Sequence, residues 1–137
     1  MTEGDKFDAI VVGAGPAGSA AALTMAKAGL SVVLVERGEY PGAKNVMGGV
    51  MYGRMLADLV PNFAAEAPIE RVIVEERLWI TTHDSAVTIG HKTAAPPGDV
   101  PNAFSVLRAK FDRWFASKAE ATGAFLVPAT VVEDLIV

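Results

Sequence analysis

Cysteine is absent from the 137 residues. That excludes a disulfide framework, a Cys-ligated iron–sulfur cluster and a thiol nucleophile within this chain. Histidine occurs only twice, as His83 and His91. Neither has metal-ligand spacing, and both read as structural or solvent-facing. No Ser–His–Asp, Cys–His or paired-carboxylate arrangement is apparent. Long apolar runs are missing too: the longest, Ser19–Ala26, is too short to span a bilayer. The opening MTEGDKFDAIVV carries acids where a signal peptide carries bases, and its apolar run is broken at Gly13, Gly15 and Pro16. The expectation is a soluble, cytoplasmic protein, with peripheral contact at the inner face of a membrane left open. The net charge of −4 is evenly spread, with 7 acids and 5 bases in residues 1–68 and 9 and 7 in residues 69–137. Without a basic face or arm, nucleic acid is not an expected partner.

What is present describes a folded domain. Hydrophobic residues make up 51% and charged residues 20%, a globular composition on a chain long enough to bury a core. Phe7–Val12 (FDAIVV) is an apolar run that stops at Gly13, as a buried parallel strand does. Pro16 suits the first turn of a helix, which runs through small residues to Lys27 and ends at Gly29. Ser31–Glu36 (SVVLVE) follows as a second strand, so residues 7–36 form a βαβ unit.

The turn inside that unit, VVGAGPAGSAAA, has the form G-x-G-x-x-G. Gly13 permits the sharp strand-to-helix turn, Gly15 lets a pyrophosphate approach the backbone, and Gly18 lets the helix pack on the sheet. Pro16 and Ala17 complete the first turn, whose free amides and partial positive charge favour phosphate. Glu36, 18 residues beyond Gly18, can accept hydrogen bonds from ribose hydroxyls. The pattern fits a dinucleotide with an unphosphorylated adenosine ribose. NAD and FAD both satisfy it.

Further along, Tyr40–Gly53 (YPGAKNVMGGVMYG) reads as loop and Arg54–Leu59 as a short helix. Val72–Ile89 alternates apolar and polar residues around His83-Asp84-Ser85, the pattern of an antiparallel hairpin. Ala94–Pro101 reads as a proline-rich connecting loop. Helical spacing of Leu107, Phe111, Trp114, Phe115 and Ala119 predicts an amphipathic helix over about 108–122, ended by Gly123. Ala124–Val127 then reads as a third buried strand, and Val131–Val137 as the start of another. Trp79 and Trp114 fall on apolar faces and read as core. A sheet interrupted at its last strand predicts an N-terminal fragment of a longer protein, with an exposed edge prone to self-association. The expected fold class is α/β: a Rossmann-like βαβ with a parallel sheet, plus the start of an antiparallel sheet. Residues 1–60 and 105–137 would form the dinucleotide-binding domain, and 61–104 would belong to a second, substrate-side domain.

The segments FDAIVVGAGPAGSAAA, VERG, GAKNVMGG, ERLWITT and SVLRAKFDRWFASKAEATGA together resemble the electron-transfer flavoprotein–quinone oxidoreductases, closest to the FixC type. The wider group includes geranylgeranyl reductases and aromatic hydroxylases. The resemblance implies FAD as cofactor, with Gly13, Gly15 and Gly18 cradling the pyrophosphate and Glu36 on the adenosine ribose. It places Arg37 near that ribose, and Gly42–Gly49 beside the ribityl chain and isoalloxazine. Arg108 would reach back toward the FAD, and the backbone of Val132 would cover the adenine. Ala43, Lys44 and Asn45 lie in the glycine-flanked loop, which has no evident packing purpose, and a flavin-side role is expected for them. The full protein would take electrons from an electron-transfer flavoprotein and pass them to a quinone, beside a separate ferredoxin-like iron–sulfur subunit. The family's Asp-bearing flavin segment is not among these residues, which implies weak or absent FAD retention and no turnover by this chain alone. Two rivals share the motif: a prenyl reductase or hydroxylase on the same fold, and a dinucleotide-binding module without catalysis.

Overall fold

The computed structural model describes residues 6–93 and 99–136. Most of the proline-rich connecting loop, residues 94–98, lies outside the described residues, as do 1–5 and 137.

The βαβ unit forms as its pattern requires. Strand β1 (Ala9–Val12) leads into helix α1 (Pro16–Lys27), which returns to strand β2 (Val32–Val35). β1 and β2 pair in parallel from Ala9–Val32 to Val12–Val35. Helix α1 stops at Ala28, where Gly29 takes φ +84°. That left-handed conformation is cheap for glycine and closes the helix. After β2 the chain forms β3 (Gly48–Tyr52), α2 (Gly53–Leu59), a single turn α3 (Phe63–Glu66) and β4 (Ile69–Ile73). Then come β5 (Glu75–Thr81), β6 (Ala86–Lys92), β7 (Ala103–Leu107), α4 (Arg108–Ala121) and β8 (Phe125–Val127).

Three sheets form among the described residues. The parallel sheet runs β1-β2-β8, the second sheet β3-β7-β4, and β5-β6 is a two-stranded ribbon. The central strand β2 is buried throughout, as expected of a strand flanked on both sides. The core lies where α1 and α4 pack together and meet β2 and β7. Small residues Ala22 and Ser19 of α1 and Ala116 and Ala119 of α4 are fully buried there. Phe111, Phe115, Leu23 and Leu34 fill the space around them. Phe63 and Phe104 add an edge-to-face pair with centroids 5.3 Å apart.

Five expectations need correction. Tyr40–Gly53 is not all loop, because Gly48–Tyr52 is strand β3, paired antiparallel to β7. Its glycines hid the alternation that would have signalled a strand. Val72 and Ile73 belong to β4, which pairs with β7, and the hairpin expected over Val72–Ile89 runs from Glu75 to Lys92. Strand β8 is an edge strand, with Phe125 48% exposed, and so is not buried. Residues 128–136 form no strand. Pro128 cannot donate to a ladder, Ala129 turns with φ +54°, and the amides of Ala129 and Thr130 bond the carbonyls of Gly38 and Glu36. Those bonds draw the chain across the end of β2. Trp79 is 58% exposed on the ribbon, because neither face of β5–β6 is covered.

Segment 61–104 joins the second sheet through β4, which pairs with β7 at Ile69–Val106 and Arg71–Ser105. No helix among the described residues is long and apolar enough to cross a membrane.

Candidate dinucleotide site

The glycine turn sits at the C-terminal end of β1, where ligands of open α/β sheets bind. Gly13 adopts φ +96°, a conformation that favours glycine. A Cβ on Gly18 would lie 1.8 Å from the Gly13 carbonyl oxygen, so only glycine lets α1 approach β1 this closely. Gly15 is different. It has ordinary φ, and a Cβ there would meet only Arg108 Nη2, at 3.9 Å. Packing does not demand glycine at position 15. Its bare backbone is an open cradle facing a guanidinium, which suits a diphosphate.

Glu36 begins where β2 ends. Its Oε2 accepts the Ala14 amide at 2.9 Å and its Oε1 accepts the Gly38 amide at 2.7 Å. Each oxygen keeps a second lone pair, so the fixed carboxylate can still accept ribose hydroxyls. It borders a cleft of about 320 Å³ lined by Val12, Gly13, Val35, Glu36, Arg37 and residues 130–132. The predicted Glu36, Arg37 and Val132 therefore share one cleft with the first glycine of the turn. Sequence reasoning missed Thr130 and Val131, which reach it because the backbone bonds described above bring the chain across β2.

Arg108 opens α4 directly from β7. Its Nε and Nη2 donate to Asp112 Oδ1 and Oδ2 at 2.8 and 2.9 Å. Asp112, fully buried, also accepts Asn45 Nδ2 at 2.9 Å on Oδ2. The hydrogen bonds from Arg108 to this carboxylate, with its charge, hold the guanidinium pKa above its ordinary value. Asp112 was not among the predicted site residues. A signal was present: an acid between Phe111 and Phe115 on the apolar stripe, four residues from an arginine.

The loop 42–49 wraps this arginine. Gly42 takes φ +88° with its missing Cβ 3.0 Å from Ala109 Cα, and the Arg108 amide donates to Met47 O at 3.1 Å. Asn45 thus faces inward onto Asp112, while Lys44, Val46 and Met47 are exposed and Ala43 is half-buried. Ala17 is exposed on α1, and Pro16 also borders an apolar cavity of about 280 Å³ between α1, α2, β3 and Phe115. No cluster of three or more His, Asp or Glu side chains suited to a metal occurs among the described residues.

A βαβ turn with a terminal acid and a guanidinium over its second glycine defines a dinucleotide-binding architecture. The profile of the FAD dependent oxidoreductases matches residues 8–133, and the chain belongs to that family, whose cofactor is FAD. It is 47% identical over 131 residues to Protein FixC of Bradyrhizobium diazoefficiens, covering 96% of this chain and 30% of that protein. It is 46% identical over 134 residues to the probable electron transfer flavoprotein-quinone oxidoreductase YdiS of Escherichia coli, covering 96% and 31%. The chain thus spans about a third of the length of these relatives. Among solved structures, a geranylgeranyl bacteriochlorophyll reductase-like protein of Thermoplasma acidophilum superimposes with TM-score 0.70 at 24% identity, over 90% of this chain and 30% of that one. The halogenase PltM, in complex with phloroglucinol and FAD, gives 0.68 at 16% identity, over 97% and 30%. At these identities the likeness is one of fold.

Proposed function

We propose that this chain is the FAD-binding region of a FixC-type oxidoreductase that passes electrons from an electron-transfer flavoprotein, through FAD, to a quinone. The observation that carries the pyrophosphate site is Arg108 Nη2 lying 3.9 Å from the point where Gly15 would bear a Cβ, and the family match supplies FAD as the dinucleotide. The electron donor and acceptor rest on the 46% identity to a relative named for that reaction.

FAD, when bound, supplies the redox chemistry; the protein's part is binding, orientation and exclusion of side reactions. Gly13, Gly15 and Gly18, with the first turn at Pro16 and Ala17, would hold the pyrophosphate. Arg108 would donate to it from the N–H groups not engaged by Asp112. Glu36 would accept the adenosine ribose hydroxyls, Arg37 would flank them, and the backbone at Val132 would cover the adenine. Residues 42–49 form one wall of the flavin side, with Ala43, Lys44 and Asn45 in that wall. A ferredoxin-like subunit as partner and peripheral membrane contact follow from the same reading. The bare ribbon β5–β6, with Leu78, Trp79 and Ile80 more than half exposed, supports assigning it to a second, quinone-side domain.

The decisive experiment is reduction of the full-length protein's flavin with a reduced electron-transfer flavoprotein, followed by addition of a soluble quinone. Quinone-dependent reoxidation is expected. Absence of quinone reactivity, with reduction of a prenyl chain instead, overturns the reading. The chain alone should hold FAD weakly, since Val46 and Met47 meet solvent on the flavin side. A yellow, stoichiometric complex on purification would contradict that.

A further inference from the structure

We propose that Asp112 is a positioning residue: from inside the core it holds the Arg108 guanidinium over the glycine turn and, through Asn45, fixes the 42–49 loop to the same cation. This rests on the reading of the glycine turn as the pyrophosphate site.

The argument begins with placement that helix stability alone does not favour. Arg108 is the first residue of α4, where the macrodipole repels a cation. Its acid lies four residues later, the less favourable order for a helical ion pair. The guanidinium also lies against Gly15, the N-cap of α1, a second positive helix end. No acidic residue occupies the first turn of either helix. A cation in such surroundings is drawn there by an anion or held there by a carboxylate. Asp112 is that carboxylate, and it is fully buried, a costly state for a charge unless every partner is in place.

The partners are in place. Two parallel bonds from Arg108 and one from Asn45 engage both carboxylate oxygens. The bidentate grip fixes the plane of the guanidinium and consumes Nε–H and one Nη2 hydrogen. The remaining N–H groups stay available on the other edge, and Nη2 is the arginine atom nearest Gly15. Asn45 lies in the loop that accepts the Arg108 amide at Met47, and a Cβ on Gly49 would lie 4.0 Å from Arg108 Cδ. The pyrophosphate contact and the flavin-side wall therefore share one anchor. A misplaced loop displaces the cation, and a displaced cation frees the loop.

A double-mutant cycle on FAD affinity tests this, with binding to the full-length protein measured by calorimetry or flavin-fluorescence titration on Asp112→Asn, Arg108→Gln and the double variant. Each single variant should weaken FAD about tenfold, and the double variant should be no weaker than Arg108→Gln alone. Multiplying effects, near a hundredfold in the double variant, would mean that Asp112 acts independently of Arg108 and would overturn the proposal. So would an Asp112→Asn variant with undiminished affinity. If Asp112→Asn does not fold, the same cycle with Asn45→Ala decides, since that residue lies in a half-buried loop and leaves the ion pair standing. Its effect on FAD should shrink at least about threefold in the Arg108→Gln background; an effect of full size there overturns the coupling. Failure of the unmutated full-length protein to bind FAD at all would refute the pyrophosphate reading itself, a different result from an additive cycle.

Discussion

Arg108 and Asp112 meet through two parallel hydrogen bonds of 2.8 and 2.9 Å, with the acid wholly buried and the arginine a quarter exposed. Lysine at position 108 would keep the charge but lose the planar fork. Arg108→Lys is expected to cost about 1–2 kcal/mol of stability and about tenfold in FAD affinity. Chemical denaturation and FAD titration measure the two separately. A lysine variant equal to the parent in both would show that charge alone suffices.

The same pair fixes a pH dependence. Arg108 has a folded pKa raised above its unfolded one, chiefly by hydrogen bonding to Asp112. A raised pKa contributes stability that is fully present below the unfolded value and is lost as pH rises through the folded value. For an arginine that window lies in strong alkali. The ratio of FAD affinities between the parent and Arg108→Gln should therefore stay constant from mildly acidic to mildly alkaline pH. A ratio that falls through neutrality would assign the effect to another titrating group.

Gly15 and Gly18 separate binding from folding. Alanine at 18 puts its Cβ 1.8 Å from the Gly13 carbonyl oxygen, and the backbone must move. Overpacking of this kind costs about 1–3 kcal/mol or more. Alanine at 15 meets only the tip of Arg108 at 3.9 Å. Gly15→Ala should lower stability by less than about 1 kcal/mol while reducing FAD affinity at least about tenfold. Thermal melts with and without FAD distinguish the two. Equal destabilisation by both substitutions would remove the argument that Gly15 serves the ligand.

The βαβ unit, the hairpin and the long last helix were legible because their patterns are local. β1, α1 and β2 announce themselves by apolar runs and glycine ends, and Glu36 by its distance from the turn. Strand β3 was hidden because Gly48 and Gly49 carry no side chains to alternate, and its pairing to β7 lies more than fifty residues away. Residues 128–136 were misread because apolar character outweighed Pro128 and the backbone bonds to Gly38 and Glu36. Asn45 was legible as special, yet its partner was not: the contact with Asp112 spans 67 positions. Trp79 was misplaced for another reason. Alternation marks a strand with one covered face, but says nothing of what covers it.

Glu36 uses both oxygens on backbone amides, and that predicts the result of removing only its charge. In Glu36→Gln one amide, of Ala14 or Gly38, would face an NH₂ group instead of an acceptor. A part-buried donor left unpaired costs about 1–3 kcal/mol. The link between the turns at Ala14 and Gly38 should loosen, and FAD affinity should fall through both the lost ribose acceptor and the displaced glycine turn. Denaturation curves and FAD titration give the two effects. A glutamine variant with parental stability would mean that these amide bonds contribute little to holding the turn.

The exposed ribbon makes a prediction independent of the cofactor. The chain has two tryptophans, Trp79 on β5 and Trp114 on α4. Trp79 is 58% exposed, whereas Trp114 packs against Phe111 and Phe115 with centroids 5.5 and 6.0 Å away. Trp79→Ser should change stability by no more than about 0.5 kcal/mol, as exposed substitutions do. Trp114→Ala removes a half-buried ring from the helix that carries Arg108, and about 2 kcal/mol is expected. In Trp114→Phe the remaining emission should be red-shifted and readily quenched by acrylamide. In Trp79→Phe it should be blue-shifted and protected. A protected Trp79 in the isolated chain would show that the ribbon folds back onto the domain, and would count against assigning it to a separate quinone-side domain.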